Sequence, residues 1–384
     1  MSLWSGFEHK EAPETGRDIV QLTSGESTCY PLYYFIPSYT SDGDRLIYHR
    51  AGDGEVQLYM LDLRSGENVR LTDADSEETQ WIPWCVDSGR GVLDHRSVLD
   101  VKGDRVIYFE EQDARCVNLD DFTDDLLFRL PDDRIAIGQN CMSPDGEWFV
   151  YIHHDRELFN QVYSEEQWAR RSLSKGTVLA AFHMESGKQK RLVTINSPIH
   201  HVLPYGDDKV VFCHPATENG MLLTDLEGGW YSHLRTQDAH GGCVCHYVPT
   251  DRGLMYEVLG RDDDVVLTGV YDPQSHQNYE FPLPPQFGYT HTGRDPRGKM
   301  WVYENSSDDA HDLWFLAEHR PEGEDEWMRL TGDWPTYGGG QKVHFHPQIT
   351  PDRQWILMTG GDPATESNHL CLVDISDLED TRGF

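Results

Sequence analysis

The feature that most constrains the fold is a short turn that recurs seven times along the 384 residues. Its form is Ser/Thr-x-Asp-Gly or a close variant, and an apolar strand follows each copy. The copies are Ser41–Gly43, Val101–Gly103, Ser143–Gly146, Tyr205–Asp208, Thr250–Gly253, Asp295–Gly298 and Thr350–Arg353. A supersecondary unit repeated at this spacing is typical of β-propellers, in which each unit forms one blade.

Each unit continues with a second alternating strand, and a third often follows, as in Val56–Leu63 and Val69–Thr72. Alternation of apolar and polar residues between Gly and Asp turns indicates antiparallel meanders. Four strands per unit predict an all-β, seven-bladed β-propeller that forms a single domain over residues 1–384. We place the recurring turn between the second and third strands of each blade, so that the residues before it approach the central channel. Only Ser164–Arg171 favours a helix.

The two ends of the chain are predicted to complete one blade. The last unit ends at Leu370–Ile375 without an outermost strand, and Asp18–Thr23 has the pattern of the missing one. An N-terminal strand at 18–23 would close the last blade and remove an open sheet edge.

Charge and cysteine usage limit the partners and the compartment. The net charge of −34 argues against nucleic acid and anionic membranes as partners, because both require basic patches. No apolar run approaches the about 20 residues that span a bilayer, and Met1–Gly16 has no apolar signal region. The eight cysteines show no C-x-x-C spacing, which favours free thiols in the cytoplasm. The oligomeric state stays open.

Histidines recur at one register of the repeat. Counting seven residues back from the turn in blades 4 to 7 gives His201, His246, His291 and His346. A single histidine on a strand usually has a structural role, but four at one position in consecutive blades favour a functional site.

Blade 7 adds a second pattern, Q-x-x-H-x-H, at Gln341, His344 and His346. On a strand these two histidines would share a face, about 6–7 Å apart. The preceding Gly338–Gly340 lets the backbone bend so that Gln341 folds in. Imidazoles and an amide oxygen suit a borderline divalent ion such as Zn²⁺, Mn²⁺, Ni²⁺ or Fe²⁺. With His291 from the neighbouring blade, these residues predict a metal site.

Several of these segments also resemble one family. The chain is similar to the oligogalacturonate lyases, cytoplasmic seven-bladed propellers that cleave short pectin fragments by β-elimination. The similar segments are Pro198–Val202, Val211–His214, Cys245–His246, His291–Gly293 and Gln341–His346. The resemblance implies a Mn²⁺ ion held by His291, Gln341, His344 and His346, with His246 as the catalytic base. We assign His200, His201 and His214 to binding of a uronate oligosaccharide substrate, with support of the metal ligands as the alternative role of His200 and His201.

One departure from the family concerns a catalytic arginine. The family has an A-R-x-W segment where this chain has Asn219–Leu222, with neither arginine nor tryptophan. Either another cation replaces it, with Arg50, Arg96, Arg235 and Arg294 as the candidates, or the substrate or activity differs from that of the family.

We therefore expect a cytoplasmic, metal-dependent polysaccharide lyase that acts on short uronate-containing oligosaccharides. An anionic substrate fits a metal centre, because so acidic a protein needs a local positive charge. The main alternative is a non-catalytic, TolB-like propeller that binds a protein or a ligand. A third possibility is a metal hydrolase or isomerase that uses the same histidines.

Overall fold

A computed structural model describes residues 6–76, 81–82, 85–86, 90–93, 96–157, 176–196, 199, 201–214, 220–236, 243–259, 266–284, 287, 291–295, 297–306, 311–316 and 326–380. The helix expected at Ser164–Arg171 lies outside these ranges, as does His200. The same holds for the side chain of His214. The chain divides into two compact units, one of residues 1–71, 250–252 and 284–384, the other of residues 72–249 and 253–283.

The first unit contains blades 1, 6 and 7. Blade 1 comprises Thr28–Pro31, Arg45–Gly52, Glu55–Asp62 and Asn68–Arg70. Blade 6 comprises Thr292–Arg294, Trp301–Ser306, His311–Leu316 and Met328–Trp334. Blade 7 comprises Gln348–Ile349, Trp355–Asp362, Ser367–Asp374, Asp18–Gln21 and Glu8–Glu11. A 3-10 helix at Gly340–Val343 precedes blade 7, and an α-helix at Ser376–Asp380 follows its third strand.

The second unit contains blades 2 to 5. Blade 2 comprises Val98–Asp100, Arg105–Glu110, Asp113–Asn118 and Asp124–Arg129. In blade 3, Arg134–Ala136 and Cys141–Met142 both pair with Trp148–Asp155, followed by Thr177–His183 and Gln189–Ile195. Blade 4 comprises Val202–Tyr205, Lys209–His214, Gly220–Asp225 and Ser232–Thr236, and blade 5 comprises Cys243–Thr250, Gly253–Leu259, Val266–Asp272 and Gln277–Pro282. The short strands Trp81–Ile82, Cys85–Val86 and Arg90–Gly91 precede blade 2.

These seven antiparallel sheets confirm the all-β, seven-bladed propeller. The placement of the recurring turn was wrong: in blade 1 it lies between the first strand, Thr28–Pro31, and the second, Arg45–Gly52. The first strands are short, with three residues in blade 6 and two in blade 7, so they carry little pattern. The second strand is buried on both faces, and its apolar run was therefore mistaken for a later strand.

Side-chain hydrogen bonds explain the residues of the recurring turn. The hydroxyl of Thr40 donates to Asp42 Oδ1 at 2.6 Å, and the Asp44 N–H donates to the same oxygen at 3.0 Å. Gly43 has a φ of 72°, a left-handed conformation that glycine adopts without a Cβ clash. Thr350 and Asp352 repeat the bond of Thr40 to Asp42 at 2.6 Å in blade 7.

The N-terminal strand closes blade 7, as predicted. Ile19 lies opposite Val373, and Val20 lies opposite Leu372. Successive residues of a strand point to opposite faces, so Ile19 joins the apolar cluster between blades 6 and 7, whereas Val20 joins the one between blades 7 and 1. The strand Glu8–Glu11 adds a fifth strand outside it, which the sequence pattern did not indicate.

Other apolar clusters lie between blades 2 and 3 and between blades 3 and 4. Burial of the blade faces against each other is therefore the main stabilising term within each unit. Among the described residues, no helix has both the length and the apolar character needed to cross a bilayer.

Candidate metal centre

A cluster of imidazoles around one carboxylate lies within the first unit. His291 immediately precedes the first strand of blade 6, Glu304 lies on the second strand, and His311 begins the third. His344 and His346 lie on the segment that leads into blade 7. All are buried except His344, whose side chain is 18% exposed and gives the cluster an open side.

Glu304 accepts a hydrogen bond from each of three imidazoles. His291 Nδ1 lies 3.1 Å from Glu304 Oε2, and the Nδ1 atoms of His311 and His344 each lie 2.9 Å from Oε1. The backbone N–H of His346 donates to Oε2 at 3.4 Å. An ionised carboxylate has about four acceptor sites, so the two donors on each oxygen satisfy it.

The charges of this cluster depend on one another. Burial alone would raise the pKa of Glu304, but the charge of His344 and the hydrogen bonds from His291, His311 and His344 outweigh it and hold that pKa well below its ordinary value. Burial opposes a charge on His344, yet the neighbouring Glu304 carboxylate raises the pKa of this imidazole. Glu304 therefore carries a buried negative charge, stabilised by its hydrogen-bond donors.

The predicted donor atoms converge in this cluster. The ring centroid of His291 lies 4.6 Å from that of His344 and 4.4 Å from that of His346. His346 Nε2 lies 3.0 Å from Gln341 Oε1. Two ligand atoms that each lie about 2.1 Å from one ion, with a right angle at the ion, are about 3.0 Å apart. Imidazole nitrogens and an amide oxygen, beside a buried anion, are thus a donor set that fits a divalent cation.

The backbone that carries Gln341, His344 and His346 is not the strand that we expected. Gly340–Val343 forms a 3-10 helix, and the pairing strand begins only at Gln348. Gly338 and Gly340 adopt φ of 100° and 66°, and His346 itself has a φ of 46°. These left-handed residues break the strand conformation. The two histidines therefore converge through an irregular turn rather than through the period of a strand.

Two tyrosines of blade 1 form a wall of the cluster. The Tyr33 ring lies 4.7 Å from the ring of His346, and the Tyr34 ring lies 5.6 Å from that of His291. Gln348 Nε2 donates to the Tyr33 carbonyl at 2.6 Å, which ties this segment to the start of blade 7. The buried aromatic rings thereby limit the movement of both imidazoles.

A histidine–glutamate pair occupies blade 5 of the second unit. His246 Nδ1 lies 3.0 Å from Glu257 Oε2, and both side chains are buried. His246 has a φ of 47°, like His346 in blade 7. The ring of His201 lies 5.8 Å from that of His246, and the Tyr247 hydroxyl donates to the His201 carbonyl. The structure therefore brings together two of the predicted residues, His201 and His246.

The arginine candidates differ in their surroundings. Arg235 forms two hydrogen bonds with Glu280, at 2.8 and 3.1 Å, so its charge is already neutralised. Arg294 lies over the rings of Trp301 and Tyr303, and its Nη2 donates to the Tyr303 hydroxyl at 2.6 Å.

The other two arginines occupy different places. Arg96 is buried, and its Nε donates to the Ala136 carbonyl at 3.1 Å. Arg50 lines a cavity of about 340 Å³ in the first unit, beside Tyr48 and Asn68.

The sequence patterns did not identify Glu257, Glu304 or His311. A signal for the two glutamates was present, because each follows the tyrosine of the second strand, as Tyr256-Glu257 and Tyr303-Glu304. His311 carried no comparable signal, since it lies outside the repeated register.

The fold and this cluster together define a β-propeller with a candidate transition-metal centre of imidazoles and an amide. The family model described as Oligogalacturonate lyase matches residues 3–280. The chain belongs to the oligogalacturonate lyase family, which confirms the resemblance.

Similar proteins cover nearly the whole chain. The oligogalacturonide lyase of Pectobacterium atrosepticum is 22% identical, over 93% of this chain and 94% of the relative. The oligogalacturonate lyase of Dickeya dadantii is also 22% identical, over 91% of this chain and 92% of the relative.

Solved structures with a similar fold include two that align over nearly the whole chain. A structure of oligogalacturonate lyase in complex with manganese aligns with a TM-score of 0.79 at 21% identity, covering 96% of each chain. The oligogalacturonate lyase of Vibrio parahaemolyticus aligns with a TM-score of 0.79 at 19% identity, again over 96% of each chain.

Proposed function

We propose that this protein is a manganese-dependent lyase that cleaves short oligogalacturonides by β-elimination. The observation that carries the proposal is the convergence of His291, His344, His346 and Gln341 around a buried carboxylate. Family membership supports the reaction class, and the similar structure named as a manganese complex supports the metal.

The metal centre of this proposal consists of His291, Gln341, His344 and His346. When bound, a divalent ion supplies positive charge that stabilises the uronate carboxylate as negative charge develops beside it. Another divalent metal of similar ligand preference could occupy the same donors. The open side at His344 is where a substrate carboxylate would reach them.

The base of this proposal is His246. β-Elimination breaks a C–H bond next to the uronate carboxylate, forms a C=C bond and expels the glycosidic oxygen on the neighbouring carbon. The imidazole accepts the proton through Nε2, because Glu257 engages Nδ1 and so favours the tautomer with the lone pair on Nε2. A neutral histidine is suited to this step near pH 7.

The remaining parts of the proposal concern substrate contacts and location. We assign His200, His201 and His214 to substrate binding, supported by the ring contact between His201 and His246. The acidic charge favours neither nucleic acid nor membrane as a partner. A cytoplasmic location is supported by the buried free thiols of Cys29, Cys116, Cys141 and Cys371.

Elemental analysis tests the metal centre directly. We expect about one manganese or similar ion per chain after reconstitution with Mn²⁺, and its loss in the double variant His344→Ala/His346→Ala. The control is His233→Ala, on the outer strand of blade 4, which should retain the ion. No metal in the unmodified protein after reconstitution would overturn the proposal in favour of a binding propeller.

The reaction class is tested separately with oligogalacturonides as substrates. Elimination leaves an unsaturated uronate that absorbs in the ultraviolet, whereas hydrolysis and isomerisation leave no such chromophore. Cleavage without the chromophore would replace the lyase with a metal hydrolase that uses the same site.

A further inference from the structure

We propose that Glu304 is a positioning residue of the metal centre, and that His311 holds its carboxylate in place. This inference rests on the proposed metal centre and assigns roles to two residues outside the ligand set. It starts from the position of Glu304, which receives hydrogen bonds from His291 and His344 at once.

The hydrogen bonds to Glu304 select the metal-binding nitrogen of two ligands. An ionised carboxylate only accepts, so the Nδ1 atoms of His291 and His344 must both carry their protons. An imidazole nitrogen that binds an ion carries no proton, so with Nδ1 protonated the lone pair of each metal-bound ring lies on Nε2. Both rings therefore present Nε2 as the donor, and their planes are fixed before an ion arrives.

His311 keeps this carboxylate in one rotamer. Its Nδ1 donates to Oε1 at 2.9 Å, the oxygen that His344 also uses. The ring packs 5.2 Å from that of Phe345, between the two blade 7 histidines in sequence, and it is itself buried. Its removal would leave Oε1 with one imidazole donor instead of two, so the orientation of His344 would be less restricted.

Glu304 has a second effect on the metal centre, through its negative charge. When they bind an ion, the predicted ligands are three neutral imidazoles and a neutral amide, so the two positive charges of a divalent ion would be uncompensated by its ligands. Glu304 supplies a negative charge directly behind two of these ligands. Because the site is buried, little water is available to screen this interaction.

The experiment is a Mn²⁺ titration of the metal-free protein, followed by the electron paramagnetic resonance signal of the free ion. Residues that hydrogen-bond to metal-bound histidines typically contribute 10–100-fold to the affinity for the metal. We expect Glu304→Gln to weaken Mn²⁺ binding by about 10–100-fold, and Glu304→Asp, which keeps the charge, to recover part of the loss. His311→Phe, which removes one hydrogen bond, should weaken binding by about five-fold.

The matched control is Glu257→Gln, the same substitution at the corresponding position of blade 5. It should leave Mn²⁺ affinity unchanged while it lowers lyase activity. If the unmodified protein binds Mn²⁺ and Glu304→Gln binds it with equal affinity, the inference about Glu304 is overturned. The proposed metal centre is not affected by that result. Absence of binding by the unmodified protein would overturn both.

Folding of each variant is checked by circular dichroism. If Glu304→Gln is unfolded, His311→Phe decides, and an affinity equal to that of the unmodified protein overturns the inference. An equal loss of affinity in Glu257→Gln and Glu304→Gln would also overturn it, because a shared structural defect would then explain both.

Discussion

The substitution Glu257→Gln examines how the proposed base is activated. It preserves the shape of the side chain but removes a buried negative charge 3.0 Å from His246 Nδ1. A glutamine amide can also donate to Nδ1, which would favour the tautomer with the lone pair on Nδ1 instead of Nε2. Both effects weaken His246 as a proton acceptor.

The magnitude follows from the distance and the burial. Two unit charges about 4 Å apart interact by about 4 kcal/mol at an effective dielectric constant of about 20. Most of this stabilises the imidazolium that forms as the proton transfers, so the loss corresponds to a decrease of about 10²–10³-fold in kcat. This lies within the 10²–10⁴-fold that general base catalysis typically contributes.

The assay measures initial rates of unsaturated uronate formation with short oligogalacturonides. We expect kcat to fall while KM changes little, because Glu257 is buried behind His246. Glu185→Gln, in an exposed turn of blade 3, removes the same charge and should keep kcat within about two-fold.

A double variant gives the result that would refute this reasoning. If Glu257 acts only through His246, then His246→Ala/Glu257→Gln should be no slower than His246→Ala, because residues that act as a unit are not additive. Additive losses, or an unchanged kcat in Glu257→Gln alone, would show that the pair does not act as proposed.

Two further predictions concern stability. Ile19→Ala should lower the free energy of unfolding by about 2–5 kcal/mol, because it leaves a cavity between blades 6 and 7. The control Glu11→Ala, on the exposed neighbouring strand, should change it by less than about 0.5 kcal/mol. Urea unfolding measures both, and equal midpoints would contradict the closing role of the strand. Burial and the adjacent Arg134 guanidinium lower the pKa of His153 to about 3. Between pH about 6.5 and about 3, the unfolded state therefore binds a proton that the folded state does not. The free energy of unfolding should therefore fall as the pH falls, by up to about 1.4 kcal/mol per pH unit from this residue. Its slope against pH should be shallower in His153→Gln, and an unchanged slope would contradict the lowered pKa of His153.

The repeat made the fold predictable, whereas the site was only partly so. Counting from the recurring turn selected His246 and His291 as candidates, because each blade places equivalent residues at equivalent positions. It did not find Glu257 and Glu304, which lie on the next strand and meet the histidines only through strand pairing. That pairing depends on the length of the first strand, which the sequence pattern does not reveal.

The irregular segment before blade 7 shows a second limit. Alternation of His344 and His346 predicted a strand, but Gly338 and Gly340 turn the chain, and Pro347 lacks the N–H that a central strand would need. The ligand types were still informative, since they depend on chemistry rather than on backbone conformation. Cooperation between Glu304 and His311 required the three-dimensional structure.

The closing strand of blade 7 has a consequence for biosynthesis. The side chains of Lys10 and Asp362 meet across 352 residues of sequence. At about 5–20 residues per second, a ribosome takes about 18–70 s to synthesise the chain between them. During that time, the apolar pair Ile19 and Val20 has no third strand of blade 7 to pair with, and it presents an open sheet edge. Chaperone demand during translation should therefore concentrate on this N-terminal segment, and shielding it should raise the yield of folded protein.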